Sequence, residues 1–193
     1  LRRKYGKQIS EDKQAYEKYI DTISRHVGDI GKMVEEFVAF ARMPTPEFHH
    51  ADLENIIRKV VFSEQVAHPK IHYEVTCDSP STRIWADEQQ LNRLFINLLK
   101  NASEAFENEP EDKKSEIKVT LAAEGKELIA VIRDNGPGFP ADHLHRLMEP
   151  YVTTREKGTG LGLAIAQQIM EEHNGEIRLE NHPKGGAQVT LIF

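Results

Sequence analysis

An α+β fold is what this sequence predicts, a long helix ahead of a mixed helix-and-strand domain, and three observations carry it. Ile20, Ile23, Val27, Ile30, Val34, Phe37 and Ala41 are spaced 3, 4, 3, 4, 3 and 4 apart, a heptad seam on one side of a helix. Residues 87–106 place Leu91, Leu94, Phe95, Leu98, Leu99 and Ala102 on one face of a second helix. Residues 127–133 alternate instead, with Leu128, Ala130 and Ile132 on one side and Ile129 and Val131 on the other. A strand apolar on both faces is expected at the centre of a sheet and buried from both sides.

The seam lasts for three heptads, so the first helix needs a partner. Gly28 and Gly31 each weaken it by about 1 kcal/mol relative to alanine, which packing must offset. Pro44-Thr-Pro46 ends it, because proline disfavours helical backbone in the preceding residue. Residues 1–43 therefore read as a helical segment, 44–50 as a linker and 51–193 as the main domain. Ile71, Tyr73, Val75 and Cys77 alternate as a further strand, with Cys77 packed as a small core residue.

In the second helix Asn97 and Asn101 are four apart, so their amide oxygens project from the same side. Neutral oxygen ligands suit Mg²⁺, which keeps several waters and takes its remaining ligands from one or two protein groups and substrate phosphates. Two asparagines so placed are suited to a metal–ATP complex. Asp134 ends the alternating strand as an acceptor suited to the exocyclic amine of adenine, and Gly136 and Gly138 allow close approach to a flat base. Taken alone, Asp-Asn-Gly is equally the sequence of a plain turn. Gly158, Gly160 and Gly162 lead straight into the helical stretch Leu163-Ala-Ile-Ala-Gln-Gln-Ile-Met, where bare amides at a helix start form an anion site fit for a triphosphate. A dinucleotide fold does not fit, because a polar loop rather than a strand precedes these glycines and their spacing differs. Arg155 and Lys157 stand just before them, either to stabilise charge on a transferred group or as a solvated charge run.

Taken in order, Asn97-Leu-Leu-Lys-Asn101-Ala, Asp134-Asn-Gly-Pro-Gly138-Phe, Glu149-Pro-Tyr-Val-Thr-Thr154 and Gly158-Thr-Gly-Leu-Gly162-Leu resemble the N, G1, F and G2 boxes of the GHKL superfamily, which includes sensor histidine kinases, gyrase and MutL. The resemblance covers about residues 50–193. It implies a Bergerat two-layer α/β sandwich with ATP held between the helical layer and a lid at 139–159, and an N-terminal helical segment for dimerisation. It implies Mg²⁺ at Asn101, adenine at Asp134, a base pocket shaped by Gly136 and Gly138, and phosphates at Gly160 and Gly162. Asn97, Thr154, Gly158 and Leu161 join the nucleotide contacts on the same ground. Tyr151 stands where the family often has phenylalanine, while Thr153 and Thr154 match its usual pair. Near the end, either Gln188 or Thr190 takes the place of the family's last polar contact.

The superfamily's ATPases place a glutamate where this chain has Asn97, and water needs such a base to attack efficiently. A neutral imidazole is already nucleophilic, so transfer to histidine proceeds through positioning and charge neutralisation. Asn97 thus favours a histidine kinase. Glu104, seven residues on, reads as a solvated helix position. Leu1-Arg-Arg-Lys-Tyr-Gly, Asp29-Ile-Gly-Lys-Met-Val-Glu-Glu-Phe and Phe40-Ala-Arg-Met-Pro are most similar to nitrogen-regulation sensor kinases of the NtrY type. That implies a homodimer through the N-terminal helices, with residues 1–9 as the end of one helix and 15–42 as the next. It also implies a response-regulator receiver domain of the NtrX kind as partner, and a parent anchored in the inner membrane with this part cytoplasmic. His26, the sole histidine before the linker, has neither the adjacent acidic residue nor the nearby proline of a phosphoacceptor, so the acceptor is expected upstream and the fragment is expected to bind ATP without phosphorylating itself. Two alternatives stand beside this reading: an unaided GHKL ATPase, and a dimerising module that holds nucleotide only as a ligand.

Composition narrows the rest. The 193 residues carry a formal net charge of −6 with no basic stripe, which argues against a nucleic-acid partner. One cysteine allows no internal disulfide, no apolar run approaches the ~20 residues of a membrane span, and the nine histidines, including His49-His50, lack metal-ligand spacing.

Overall fold

A computed structural model describes residues 13–42, 44–107, 109–110, 114–153 and 158–193. These form two compact units, one of residues 13–42 with Gly158 and Thr159, the other of residues 44–153 and 160–193. The residues 1–9 expected to end one helix lie outside the described residues, as do Thr154, Arg155 and Lys157.

In the first unit, α1 (Lys13–Ala41) runs unbroken through both glycines. A Cβ on Gly28 or Gly31 would meet nothing within 4 Å. Ile23, Val27, Ile30, Val34 and Phe37 of the seam are 57, 63, 60, 54 and 47% exposed, a hydrophobic stripe open along the helix. His26 is exposed on the same helix.

The second unit follows the order β1 (His49–Asp52), α2 (Leu53–Ala67), β2 (His72–Asp78), β3 (Arg83–Ala86), α3 (Glu88–Glu104), β4 (Glu116–Glu124), β5 (Glu127–Asp134), α4 (Gly162–Glu172), β6 (Glu176–Asn181) and β7 (Ala187–Ile192). A short 3₁₀ helix, Ala141–Arg146, lies between β5 and α4. Five strands make one sheet in the order β2-β4-β5-β7-β6, parallel between β2 and β4 and antiparallel elsewhere, while β1 and β3 pair separately. The helices α2, α3 and α4 cover one face with α3 in the middle over β5, and Leu91, Leu94, Phe95 and Leu99 of α3 and Ile117, Leu121 and Leu191 of the sheet are all essentially inaccessible to water. This is the two-layer sandwich expected.

The central strand corrects one expectation. β5 is in the middle of the sheet, yet only Leu128, Ala130, Ile132 and Asp134 are buried, while Ile129 and Val131 are partly exposed. With helices on a single face, the opposite face carries β-branched residues beside exposed Lys118 and Thr120 of β4. Cys77 is likewise only half-buried.

Two helices of this unit, α2 and α3, follow directly on a strand and begin on a carboxylate. Asp52 caps α2, accepting the Asn55 N–H and the Thr82 hydroxyl; the latter bond is the chief reason its carboxyl is held below the usual value. Asp87 caps α3 through the N–H groups of Gln89 and Gln90 and also takes the Glu47 N–H at 2.8 Å. Residues 44–48 hold no helix or strand but are fastened to this junction, with Gln90 Nε2 donating to the Pro44 carbonyl at 3.2 Å and the Phe48 ring against His173. His173 completes it: Nε2 accepts the Asp87 N–H at 3.0 Å, and Nδ1 lies 2.8 Å from the Ile169 carbonyl. One carboxylate thus orients α3, which carries both asparagines, and ties down the segment before β1.

Candidate functional site

Three pieces of backbone converge on the helical side of the sheet. The first is the turn after β5. Asp134 is 5% exposed, and its Oδ1 accepts the N–H of Gly136 at 2.8 Å and of Ala187 at 3.1 Å. Two donors on one oxygen fix the carboxylate's aim. Asn135 turns the other way, accepting the Glu116 N–H and donating to the Lys114 carbonyl, so the turn is pinned to β4. Gly186 comes in from the β6–β7 turn with φ +88, and a Cβ there would lie 1.9 Å from the Asp134 carbonyl oxygen. Only glycine permits that approach.

The second piece is α3. A Cβ on Gly136 would sit 3.4 Å from the Ala105 Cβ and 3.6 Å from the Phe106 ring, so the Asp134 turn abuts the end of this helix. One helical turn earlier is Asn101, and four residues before it is Asn97. The Asn97 Nδ2 is buried and has no hydrogen-bond partner among the described residues. A buried amide donor left unpaired costs on the order of 1–3 kcal/mol, and a polar ligand at this helix face would relieve it.

The third piece is the start of α4. A Cβ on Gly162 would lie 3.4 Å from Asn101 Nδ2 and 3.7 Å from its Oδ1, so the first turn of α4 faces Asn101 directly. Leu161, wholly buried, accepts the Ile165 N–H and begins the helix with no side-chain cap among the described residues. Gly160, at φ +70, presses against the backbone of Tyr151 and Val152, and its carbonyl accepts the Tyr151 N–H at 3.0 Å. Tyr151 itself has φ +67 and is half-exposed.

Asp134, Gly136, Asn97, Asn101, Leu161 and Gly162 are therefore brought to one region, and Gly138 and Gly160 border it. Gly158 belongs to the other compact unit. Gln188 and Thr190 are paired with Arg133 and Val131 on the face of the sheet opposite the helices, and Gln188 is engaged with Glu180, so neither shares a face with Asp134. Glu104 is partly buried and lies 3.8 Å from Lys100. Among the described residues no group of histidines, cysteines and carboxylates is arranged to hold a metal, so a cation here relies on amide oxygens and on a ligand's own charge. The donor set fits that: Asn101 faces an amide-rich helix start, beside the buried Asn97 amide. Asp87, Asn135 and His173 support the site without being singled out by the sequence. Asp87 carried the signal of an N-cap residue before an amphipathic helix; the other two depend on contacts across the fold that no local pattern announces.

The model of the family described as histidine kinase-, DNA gyrase B- and HSP90-like ATPase matches residues 86–193. The whole chain is 44% identical to nitrogen regulation protein NtrY of Azorhizobium caulinodans, of which it covers 25%. The catalytic domain of histidine kinase ThkA superposes with a TM-score of 0.66 at 29% identity, over 76% of this chain and 95% of that one. ThkA in complex with response regulator protein TrrA gives a TM-score of 0.73 at 24% identity over 97% of this chain and 53% of that one, a likeness of fold alone. The chain spans about a quarter of the length of the curated relative it matches.

Proposed function

Because the chain belongs to the family of histidine kinase-, DNA gyrase B- and HSP90-like ATPases, we propose that it is the ATP-binding catalytic part of an NtrY-like two-component sensor kinase, which passes the ATP γ-phosphoryl group to a histidine and thence to a response-regulator aspartate. The observation that carries this is the meeting of the Asp134 turn, the Asn97–Asn101 face of α3 and the start of α4 in one region. Asp134 takes the adenine amine, Gly136 and Gly138 lie along the base, and Asn97 with Asn101 attends the phosphates and Mg²⁺. Mg²⁺, when bound, neutralises phosphate charge. The amides of Gly160, Leu161 and Gly162 receive the phosphates.

In the transfer an imidazole nitrogen forms a bond to the γ-phosphorus as the bond to the β–γ bridging oxygen breaks, and ADP leaves with the electron pair. Nothing on α3 has to remove a proton from that nucleophile, in keeping with an amide at Asn97. The acceptor histidine lies upstream of Leu1, and this chain alone does not phosphorylate itself. The open seam of α1 supports a homodimer through the N-terminal helices, and the likeness to NtrY supports a receiver domain, of the NtrX kind, as partner. Among the described residues no helix is long and apolar enough to cross a membrane; we place this part on the cytoplasmic side of a membrane-anchored parent.

The test is incubation with γ-labelled ATP, with and without the parent's upstream segment added in trans. Acid-labile label on the added segment alone is expected. Label on His26 would overturn the upstream assignment, and sustained hydrolysis without any acceptor, abolished by Asp134→Asn, would make the protein an ATPase.

A further inference from the structure

Asn181, the last residue of β6, takes no part in the site as described, yet it holds one end of it. Its Oδ1 accepts the Phe139 N–H at 2.7 Å, and its Nδ2 donates to the Phe139 carbonyl at 2.8 Å. A single side chain thus supplies both halves of what a neighbouring strand would supply to that residue. Gly138 is what admits it: with φ +82, a Cβ there would lie 2.7 Å from Asn181 Oδ1 and 3.4 Å from the Gly186 carbonyl oxygen. The entrance of the same turn is held separately, by Asp134 on Gly136 and Ala187 and by Asn135 on β4. Strand β6 therefore grips the exit of the turn, and β7 and β4 grip its entrance.

We propose that Asn181 is a positioning residue for nucleotide binding, fixing Gly138 and Phe139 so that the turn after β5 presents a formed surface to the base. The inference rests on reading residues 134–138 as the adenine end of an ATP site. Asn181 acts on the base end through backbone it holds, at a distance from the amides of α4 that receive phosphates. Loss of the clamp must therefore weaken ATP and ADP by the same factor, with no preference for the nucleotide that carries the extra phosphate.

Calorimetric titration of the 193-residue chain with ATP and with ADP tests this, alongside amide exchange at Phe139. Asn181→Ala is expected to bind both nucleotides about 5- to 10-fold more weakly with the binding-competent fraction unchanged, and to exchange the Phe139 amide faster. Asn181→Asp keeps an acceptor for the Phe139 N–H but sets a carboxylate against the Phe139 carbonyl, and should bind no better than Asn181→Ala. Arg178→Ala, which removes the exposed pairing with Glu176 on the same strand, should match the wild type. Failure of the wild type to bind either nucleotide would overturn the adenine-site reading. Binding by the wild type that Asn181→Ala leaves unaltered, or a loss confined to ATP, would overturn the role of Asn181.

Discussion

Replacing Gly186 with alanine should disturb the proposed nucleotide site more than the neighbouring change at Gly185, although both glycines have φ near +90. An L-residue in left-handed backbone costs about 1–2 kcal/mol, and that penalty applies to both positions. At Gly185 a Cβ would meet nothing within 4 Å, so the backbone penalty is the whole cost. At Gly186 the Cβ would stand 1.9 Å from the Asp134 carbonyl oxygen and 2.7 Å from its carbon. That neighbour is main chain at the end of the central strand and cannot rotate away, so overpacking adds about 1–3 kcal/mol. For a domain of this size each kcal/mol is about 2–4 °C, so Gly185→Ala should melt about 2–8 °C below the wild type and Gly186→Ala about 4–20 °C below. The shift displaces the residue proposed to meet adenine, so ATP affinity should fall with Gly186→Ala and stay near wild type with Gly185→Ala. Thermal unfolding and ATP titration of both variants measure this. Equal melting points and equal affinities would refute the claim that close approach, rather than backbone conformation alone, fixes glycine at 186.

Asn97→Leu removes the unpaired buried amide, so the variant should be as stable as the wild type or more so by about 1 kcal/mol in denaturant, while ATP affinity in the presence of Mg²⁺ drops; a large loss of stability would show that the amide is satisfied in the folded chain. Burial pushes the Asp87 carboxyl up, but the N–H groups of Gln90, Glu47 and Gln89, aided by His173, outweigh it and hold it below its ordinary value. Its contribution to stability is therefore full above the ordinary carboxylate range and is lost as pH falls through the lowered value. Below about pH 4, stability measured by urea unfolding should fall more steeply in the wild type than in Asp87→Asn, and parallel acid limbs would contradict this. Gly28→Ala and Gly31→Ala should each raise helix content and stabilise α1 by about 0.4–1 kcal/mol, read by circular dichroism, since neither new methyl meets a neighbour within 4 Å.

The elements most legible in the sequence were those whose apolar period is long. The seam of α1 and the buried face of α3 follow from local repetition, and each of those helices answers it within a few residues. The face of β5 was harder: alternation of apolar residues identifies a central strand, but how many layers cover it is a property of where helices pack, and Ile129 and Val131 are left partly exposed. The glycines of the site were visible as a pattern, but the work each does was not. Gly162 makes room for Asn101 and Gly186 for Asp134 across gaps of 61 and 52 residues, distances over which sequence carries no local signal. Residues 44–50 read as a linker from their prolines, whereas the hydrogen bonds that fasten Pro44 and Glu47 come from Gln90 and Asp87, and the ring of His173 covers Phe48. The 3₁₀ helix at Ala141–Arg146 had no periodic signature and is too short to show one.

The central claim, that Asp134 reads adenine at a site built with α3 and α4, is tested most directly by titrating Mg²⁺–ATP into the wild type and Asp134→Asn. The amide is isosteric and retains an acceptor for the N–H groups of Gly136 and Ala187, so the turn should keep its shape and the melting point should stay within a few degrees. It replaces the other acceptor with a donor that opposes the adenine amine and removes the negative charge. Loss of ATP affinity by about 100-fold or more in a folded Asp134→Asn chain is the predicted result. Undiminished affinity would contradict the account.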